Sequence, residues 1–453
     1  MSFSEIPPPP EVDPGNDEPA IRTRPPGPQS RTWLTRAARV GAPMGPLPQR
    51  EPSKVVRADV PAGSIVYATG KGSNVIDVDG NRYVDLAAGF GALLLGHAHP
   101  RILKVLELQA PRLLQALGDV YPSEPKIALS DRLAALFPEP GARVILGQSG
   151  ADAVSAALKT AMLFTGKPGV VAFSGGYHGL SYGPLAATAL RAGYREPFLP
   201  QLNPAVSFVD YPSTEEEAGA ALERVRFELG RGNLGAVLIE PVLGRGGCVP
   251  PPSGFLAELS RIAKAGGALF IADEIWSGLG RAGHLLYSVA EGARPDVICL
   301  GKGLGGGLPI SACIGSADVM QAWRREPEVV HTSTFAGAPL ACCAAIATLD
   351  VISRDGLVER SARVGAGWLA ALRSALEGLP GVDGVRGAGM MIGIDVQSRT
   401  GGAPRLMRAL LERGYIVSSG GGSREVIVLT PPLTIAEALL EGAALALREA
   451  IHG

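Results

Sequence analysis

Lys302 is the residue of this sequence best placed for covalent chemistry. The chain has only eight lysines against 34 arginines. Lys302 sits in Gly301-Lys302-Gly303-Leu304-Gly305-Gly306-Gly307, directly after the apolar run Val297–Leu300. Desolvation at the end of a buried strand lowers a lysine pKa, and the neutral amine is then a nucleophile that forms Schiff bases with carbonyl groups. A phosphate-binding Gly-Lys loop of the nucleotide kind needs Ser or Thr after the lysine. Here Gly303 follows.

Other short apolar runs also end in residues with chemical potential. Ala236–Ile239 is followed by Glu240-Pro241, and Leu269–Ala272 by Asp273-Glu274. Acids at the ends of buried strands are costly unless partnered. A carboxylate beside a pyridine nitrogen keeps that nitrogen protonated and makes the ring an electron sink. The alternative is that these acids cap helices or pair with Arg281. Arg143–Leu146 leads into Gly147-Gln148-Ser149-Gly150-Ala151, where free amides at a helix start would suit a phosphate; an ordinary N-capped turn is the other reading. Val170–Phe173 leads into Ser174-Gly175-Gly176-Tyr177-His178-Gly179, where an aromatic and an imidazole could stack on a flat ring or simply decorate a turn.

These loops need a frame that brings strand ends together. From about residue 100 helical spacing alternates with short apolar strands, which predicts an α/β domain with a mainly parallel sheet. Ligands bind at the carboxyl ends of such strands, where the residues above fall. Helices are expected over Ile102–Leu117 and Glu124–Leu136, the latter capped by Ser123. Ile65–Asp85 reads as a β-meander turning at Asp79-Gly80, preceded by a short helix over Arg31–Val40. Residues 1–29 are rich in proline and read as a disordered tail. Residues 30–99 are expected to contribute to a small lobe, 100–336 to form the large domain, and 337–453 to form a smaller α+β domain. Within the last, Pro339–Ser353 and Glu359–Leu376 read as helices, and Met391–Val396 and Val426–Leu429 as strands. Thr434-Ile-Ala-Glu437 reads as a capping box opening a final helix.

Composition narrows the class of protein. With 46% hydrophobic and 19% charged residues, the composition is that of an ordinary globular protein and argues against disorder across the whole chain. A net charge of −1 gives no reason to expect nucleic acid or a membrane surface as partner. No secretory signal pattern or long apolar span is evident. The five cysteines lack zinc-ligand spacing and read as reduced, buried thiols, so no metal is expected. A cytoplasmic protein fits these features.

In this order, Ser149-Gly-Ala, Tyr177-His178-Gly, Glu240-Pro241, Asp273-Glu-Ile-Trp-Ser-Gly-Leu-Gly-Arg281-Ala-Gly, Leu300-Gly-Lys302-Gly, Ser333-Thr334-Phe and Pro431-Pro-Leu433 resemble the class III (subgroup II) aminotransferases. Gly96-His97-Ala-His99-Pro100 adds to the resemblance, which runs from about Pro26 to the C-terminus. It implies the pyridoxal 5′-phosphate (PLP) fold type I, an aspartate aminotransferase-like large domain with a smaller α+β domain. It also implies ping-pong transfer of an amino group from an amine or amino acid to an oxo-acid or aldehyde. Lys302 would hold PLP as a Schiff base and shuttle a proton, and Asp273 would bond the pyridinium nitrogen. Tyr177 and Ile275 would cover the two ring faces. Ser149, Gly150 and Ala151 would hold the phosphate, with Thr334, and with it Ser333, reaching the phosphate of a neighbouring subunit in a homodimer. Glu240 and His178 would support the cofactor.

Three positions depart from that pattern. Arg245 stands where many members have Glu, Val428 where many have an Arg that clamps the substrate α-carboxylate, and Trp276 where many have Gln. Losing the Glu and its partner Arg together avoids an unpaired buried charge. Arg245 and Arg424 are then candidate carboxylate anchors; a solvent-facing loop residue is the other reading of Arg245. Trp276 would narrow the pocket. The alternative activity is a PLP-dependent racemase or epimerase of the same fold, which resembles this chain around Lys302 and Pro431. Racemisation needs an acid/base on each ring face, and the second-face position here is Arg245, a poor proton carrier.

Overall fold

The structure, a computed structural model, describes residues 15–41, 64–324, 330–397 and 402–452. Its strands in chain order are β1 (Tyr67–Lys71), β2 (Asn74–Asp77), β3 (Arg82–Asp85), β4 (Arg143–Gly147), β5 (Gly169–Phe173), β6 (Val206–Val209), β7 (Leu234–Ile239), β8 (Leu269–Asp273), β9 (Val297–Leu300), β10 (Ser311–Gly315), β11 (Val382–Ala388), β12 (Met391–Val396), β13 (Tyr415–Ile416), β14 (Ser418–Gly420) and β15 (Val426–Leu429). The central seven-stranded sheet has the order β4-β10-β9-β8-β7-β5-β6. β6, β5, β7, β8 and β9 run parallel, and β10 is antiparallel to both β9 and β4. β4 therefore points the same way as β9, so the carboxyl ends of β4, β5, β7, β8 and β9 lie along one edge.

The strands β5, β7 and β9 are wholly apolar and buried because both sheet faces are covered there. Val170 and Ala172 of β5, with Ala236 and Leu238 of β7, face the alanine-rich helix Gly150–Thr165. Val171, Phe173, Val237 and Ile239 point the other way, toward the helices Glu215–Gly230 and Phe255–Ala265. The largest apolar cluster joins the helix Pro339–Arg354 to Ile298, Leu300, Ala312 and Ile314 of the sheet and to the C-terminal strands and helices. A four-stranded sheet, β11-β12-β15-β14, belongs to the C-terminal part, and β13 pairs with β3 to complete the N-terminal meander.

Several elements differ from their sequence reading. The helix expected to reach Leu117 ends at Gln109; beyond it Leu113, Leu114, Leu117 and Tyr121 are exposed rather than packed on a helix face. Residues 15–29, read as part of a disordered tail, are held against the meander. Asn74 and Asp17 exchange hydrogen bonds, Asn81 accepts from the Arg22 and Thr23 amides, and Asp79 accepts from Gln29 and Ser30. Side-chain acceptors thus anchor a stretch with little apolar surface. Residues 1–14 of the expected tail lie outside the described residues. The capping box at Thr434 does not form: the Thr434 hydroxyl donates to the Leu95 carbonyl at 3.2 Å, and the last helix starts at Glu437.

Candidate active site

Five strand ends converge on Lys302. Its backbone is left-handed (φ 41°) at the start of a short 3-10 turn, Lys302–Gly305, after β9. A non-glycine residue held there costs on the order of 1–3 kcal/mol and persists only where its surroundings demand it. Burial lowers the Lys302 amine to about 7; Glu240 and Asp273 pull it up, while Arg245 and Arg281 push it down. Near neutral pH this amine is therefore neutral for a large part of the time.

Asp273 ends β8 and is 3% exposed. Its Oδ2 lies 2.7 Å from His178 Nδ1, and its Oδ1 accepts from the Ile275 amide at 3.2 Å. Burial favours the neutral imidazole, but the hydrogen bond and charge of Asp273 prevail and hold the His178 pKa above its usual value. Among the described residues His178 Nε2 is buried without a partner. Glu240, at the end of β7, accepts from the Tyr177 amide at 2.7 Å and the Gly244 amide at 2.9 Å. Burial and the nearby Asp273 raise its carboxyl nonetheless. Glu240 thereby ties the Tyr177 loop to the loop that carries Arg245.

Ser149 caps the helix Gly150–Thr165 in a reciprocal capping box with Asp152. The Gly150 and Ala151 amides, at the first two helical positions, have no acceptor within the helix. Gly150 lies against Ile275: a Cβ there would come within 2.8 Å of Ile275 Cδ1. Gly301 packs on the same two residues, so the helix N-terminus, Ile275 and the Lys302 turn form one cradle. Gln148 donates to the Ser333 hydroxyl, which places Ser333 beside that N-terminus in the same chain. Thr334 and Phe335 are exposed.

The acids do not pair with Arg281. Glu274 instead accepts from the Ser277 hydroxyl and from the Ser288 amide and hydroxyl. Arg281, 1% exposed, donates to the Met390 and Pro431 carbonyls, and burial lowers its pKa to about 9.

The two candidate anchors occupy different places. Arg245 is partly buried with its guanidinium carbon 4.6 Å from the Tyr177 ring centroid, so it is not a free solvent residue. Arg424 is exposed and lines a separate cavity of about 610 Å³ with Tyr67, Phe90, Met407 and Ser419. Val428 is buried in β15. Trp276 is 6% exposed, and its ring centroid is 3.5 Å from Lys302 Nζ. Gly91 and Gly244, which sequence reasoning passed over, flank that indole: a Cβ on Gly91 would overlap Nε1 and one on Gly244 would overlap Cε3. No sequence spacing marks this contact, because residues 91, 244 and 276 belong to three separate segments.

The donor set fits PLP. A lysine with a depressed pKa, a buried carboxylate locked to a histidine, a helix start whose first amides have no acceptor within the helix and an aromatic ring lie close together. All five cysteines are free and buried, and among the described residues no His/Cys/Asp/Glu group is arranged to hold a metal. No described helix is long and apolar enough to cross a membrane.

Comparison with known proteins agrees. The model for aminotransferase class-III matches residues 56–451. The acetylornithine aminotransferase of Methanothermobacter thermautotrophicus is 36% identical over 379 residues, covering 84% of this chain and 92% of the relative. Among solved structures, the ornithine aminotransferase of Toxoplasma gondii superposes with a TM-score of 0.80 at 28% identity, covering 93% of this chain and 95% of its own. An amine transaminase from an uncultivated Pseudomonas species, solved with PLP bound, gives a TM-score of 0.82 at 27% identity, covering 90% and 99%. The fold is PLP fold type I, the cofactor is PLP and the activity is transamination. The racemase alternative draws no support from these relatives. The chain belongs to the class III aminotransferases.

Proposed function

We propose that Lys302 is the Schiff-base lysine of this transaminase and that its substrates carry a carboxylate recognised by Arg245. The observation that carries the reading is a lysine with its amine lowered to about 7, set among Asp273, Glu240 and a helix N-terminus. PLP, when bound, supplies the electron sink that makes the carbon bearing the substrate amine acidic. The Asp273 carboxylate would hold the cofactor's ring nitrogen protonated, and His178 fixes Asp273 in place. Tyr177 and Ile275 would cover the cofactor's ring, Ser149, Gly150 and Ala151 would hold its phosphate, and Glu240 fixes the Tyr177 loop. Lys302 Nζ removes the proton from the substrate carbon and later returns one. Its pKa suits both roles, since a proton-transfer group works best near the operating pH.

Arg245, stacked on Tyr177, offers a fixed guanidinium fork on the substrate side, whereas Val428 can offer no charge. The donor is thus a carboxylate-bearing amine, in keeping with the acetylornithine for which relatives are named. The active unit is a homodimer with Thr334 at the partner's phosphate site, whereas Ser333 stays beside the helix N-terminus of its own chain. The exposed Leu114, Leu117, Val120, Tyr121 and Phe335 support an apolar interface there. The reduced, buried cysteines support a cytoplasmic setting. The lobes keep the proposed division at about residues 99 and 336.

The test is a donor panel added to the PLP-loaded enzyme without acceptor. A productive donor converts the absorbance of the aldehyde form of the cofactor to that of its amine form, and an oxo-acid restores it. Arg245→Gln should raise KM for carboxylate donors by roughly 10- to 100-fold, with little change for amines lacking a carboxylate. Equal effects on both donor types would remove Arg245 from substrate recognition.

A further inference from the structure

The assignment of Lys302 above leaves one problem. Once its amine is free to move protons, a lysine has a four-carbon stem and three rotatable donors with no preferred direction. Lys302 Nζ lies 3.5 Å from the Trp276 ring centroid. We propose that Trp276 is a positioning residue: its indole face seats the free Lys302 amine beside the substrate, in a slot walled by Gly91 and Gly244. The proposal rests on Lys302 being the Schiff-base lysine.

Three observations support the seat. The contact is with the ring face, where the indole quadrupole attracts a cation within about 6 Å. The indole N–H cannot serve instead, since it is a donor like the ammonium; Nε1 lies on the Gly91 side, without a hydrogen-bond partner among the described residues. The ring is also held on both flanks. Gly244 presses on the six-membered ring, and its amide is tied to Glu240 Oε2 at 2.9 Å. Gly91 closes the other side at φ 81°, at the end of a run in which Ala88, Gly89 and Phe90 are also left-handed. Any side chain at position 91 or 244 would push the indole off its place. Trp276 therefore does more than narrow the pocket: it defines where Nζ rests between proton transfers.

The face of an aromatic ring favours the charged amine over the neutral one. Removing it should lower the Lys302 pKa further and loosen the position of Nζ. Three variants separate this from space filling. Trp276→Leu keeps an apolar wall without a π face, and Trp276→Phe keeps a smaller face. Gly244→Ala keeps the tryptophan but displaces it, at a position whose backbone is not left-handed.

The first readout uses the cofactor-free chain: the pH dependence of Schiff-base formation with pyridoxal, a phosphate-free probe. Trp276→Leu and Gly244→Ala should move the midpoint down by about one unit, and Trp276→Phe by much less. The second readout uses the PLP-loaded enzyme. The maximal rate of the half-reaction with donor should fall by roughly 10- to 100-fold in the first two variants, with the half-saturating donor concentration little changed. Adding Trp276→Phe to Gly244→Ala should recover part of the loss, because a smaller ring relieves the overlap. If Trp276→Leu does not fold, Gly244→Ala and its double variant decide the matter. An unchanged midpoint in both Trp276→Leu and Gly244→Ala overturns the seat, as does an equal loss in the Phe and Leu variants. Lys302→Ala is the control for the underlying assignment: if it still reacts with pyridoxal like the parent chain, it is the role of Lys302 that fails.

Discussion

At the scale of single residues, the site works by setting charges against burial. Lys302 is drawn down to about 7 by burial, against the pull of two carboxylates. Only the neutral amine attacks a carbonyl. Recombination of the cofactor-free chain with PLP should therefore speed up as pH rises through about 7 and level off above it, whereas an ordinary lysine would keep gaining toward ~10.4. Following the absorbance of bound cofactor against pH checks this; a rate still climbing steeply well above neutrality would contradict it. Asp273 is the other decisive charge. Asp273→Asn leaves the size of the side chain unchanged and still offers His178 a partner, but it cannot hold a ring nitrogen protonated. The half-reaction should slow by on the order of 10²- to 10³-fold while the cofactor remains bound. These two residues were legible in the sequence because each interrupts an apolar run at the end of a buried strand. The pairing of the acids was not: Arg281 lies in the same short segment, a few residues beyond Glu274, yet turns toward the carbonyls of Met390 and Pro431.

At the scale of elements, the strand-to-helix turns do the positioning. The helix Gly150–Thr165 and the helix Glu215–Gly230 open with the same device, a capping box at Ser149 and at Thr214. Removing either cap should cost about 1 kcal/mol of stability, read as a shift in the urea midpoint. Their effects on function should differ. Thr214 caps a helix that packs behind the sheet, so Thr214→Ala should leave cofactor affinity alone. Ser149→Ala disturbs the N-terminus proposed for the phosphate, and PLP should bind more weakly as well. If both variants weaken PLP binding alike, the helix of residues 150–165 has no special part in phosphate binding. The parallel strands other than β6, whose Val-Ser-Phe-Val run was passed over, were readable because continuous apolar runs have few other uses. β10 was missed: Ser-Ala-Cys-Ile-Gly is short and mixed, and its strand character comes from the two neighbours it joins.

At the scale of the whole molecule, the site needs parts of the chain far apart in sequence. The turn after the N-terminal meander brings Gly91, the sheet brings Lys302 and Asp273, and the C-terminal part closes over Arg281 through Met390 and Pro431. A ligand that binds only this assembled state must stabilise it by mass action, by about 2.7 kcal/mol at one hundred times its Kd. Thermal unfolding of the PLP-loaded protein should accordingly occur several degrees above that of the stripped chain. Sedimentation should give a dimer for the loaded protein; a monomer that retains full activity would refute the proposed contribution of Thr334 to a partner's site.

The sequence by itself determined the α/β frame and the order of its loops, and it put forward Lys302 and Asp273 as the candidate reactive lysine and its carboxylate. Those are local facts: apolar runs, glycine-rich turns and polar residues placed where buried strands end. It could not show that Thr434 would bond Leu95 rather than cap the last helix, or that residues 15–29 would be held by Asn74, Asp79 and Asn81. Nor could it place Trp276 between Gly91 and Gly244 with Lys302 on its face. Those outcomes depend on which surfaces meet when remote segments pack, and on acceptors that only the assembled meander and lobes bring within reach.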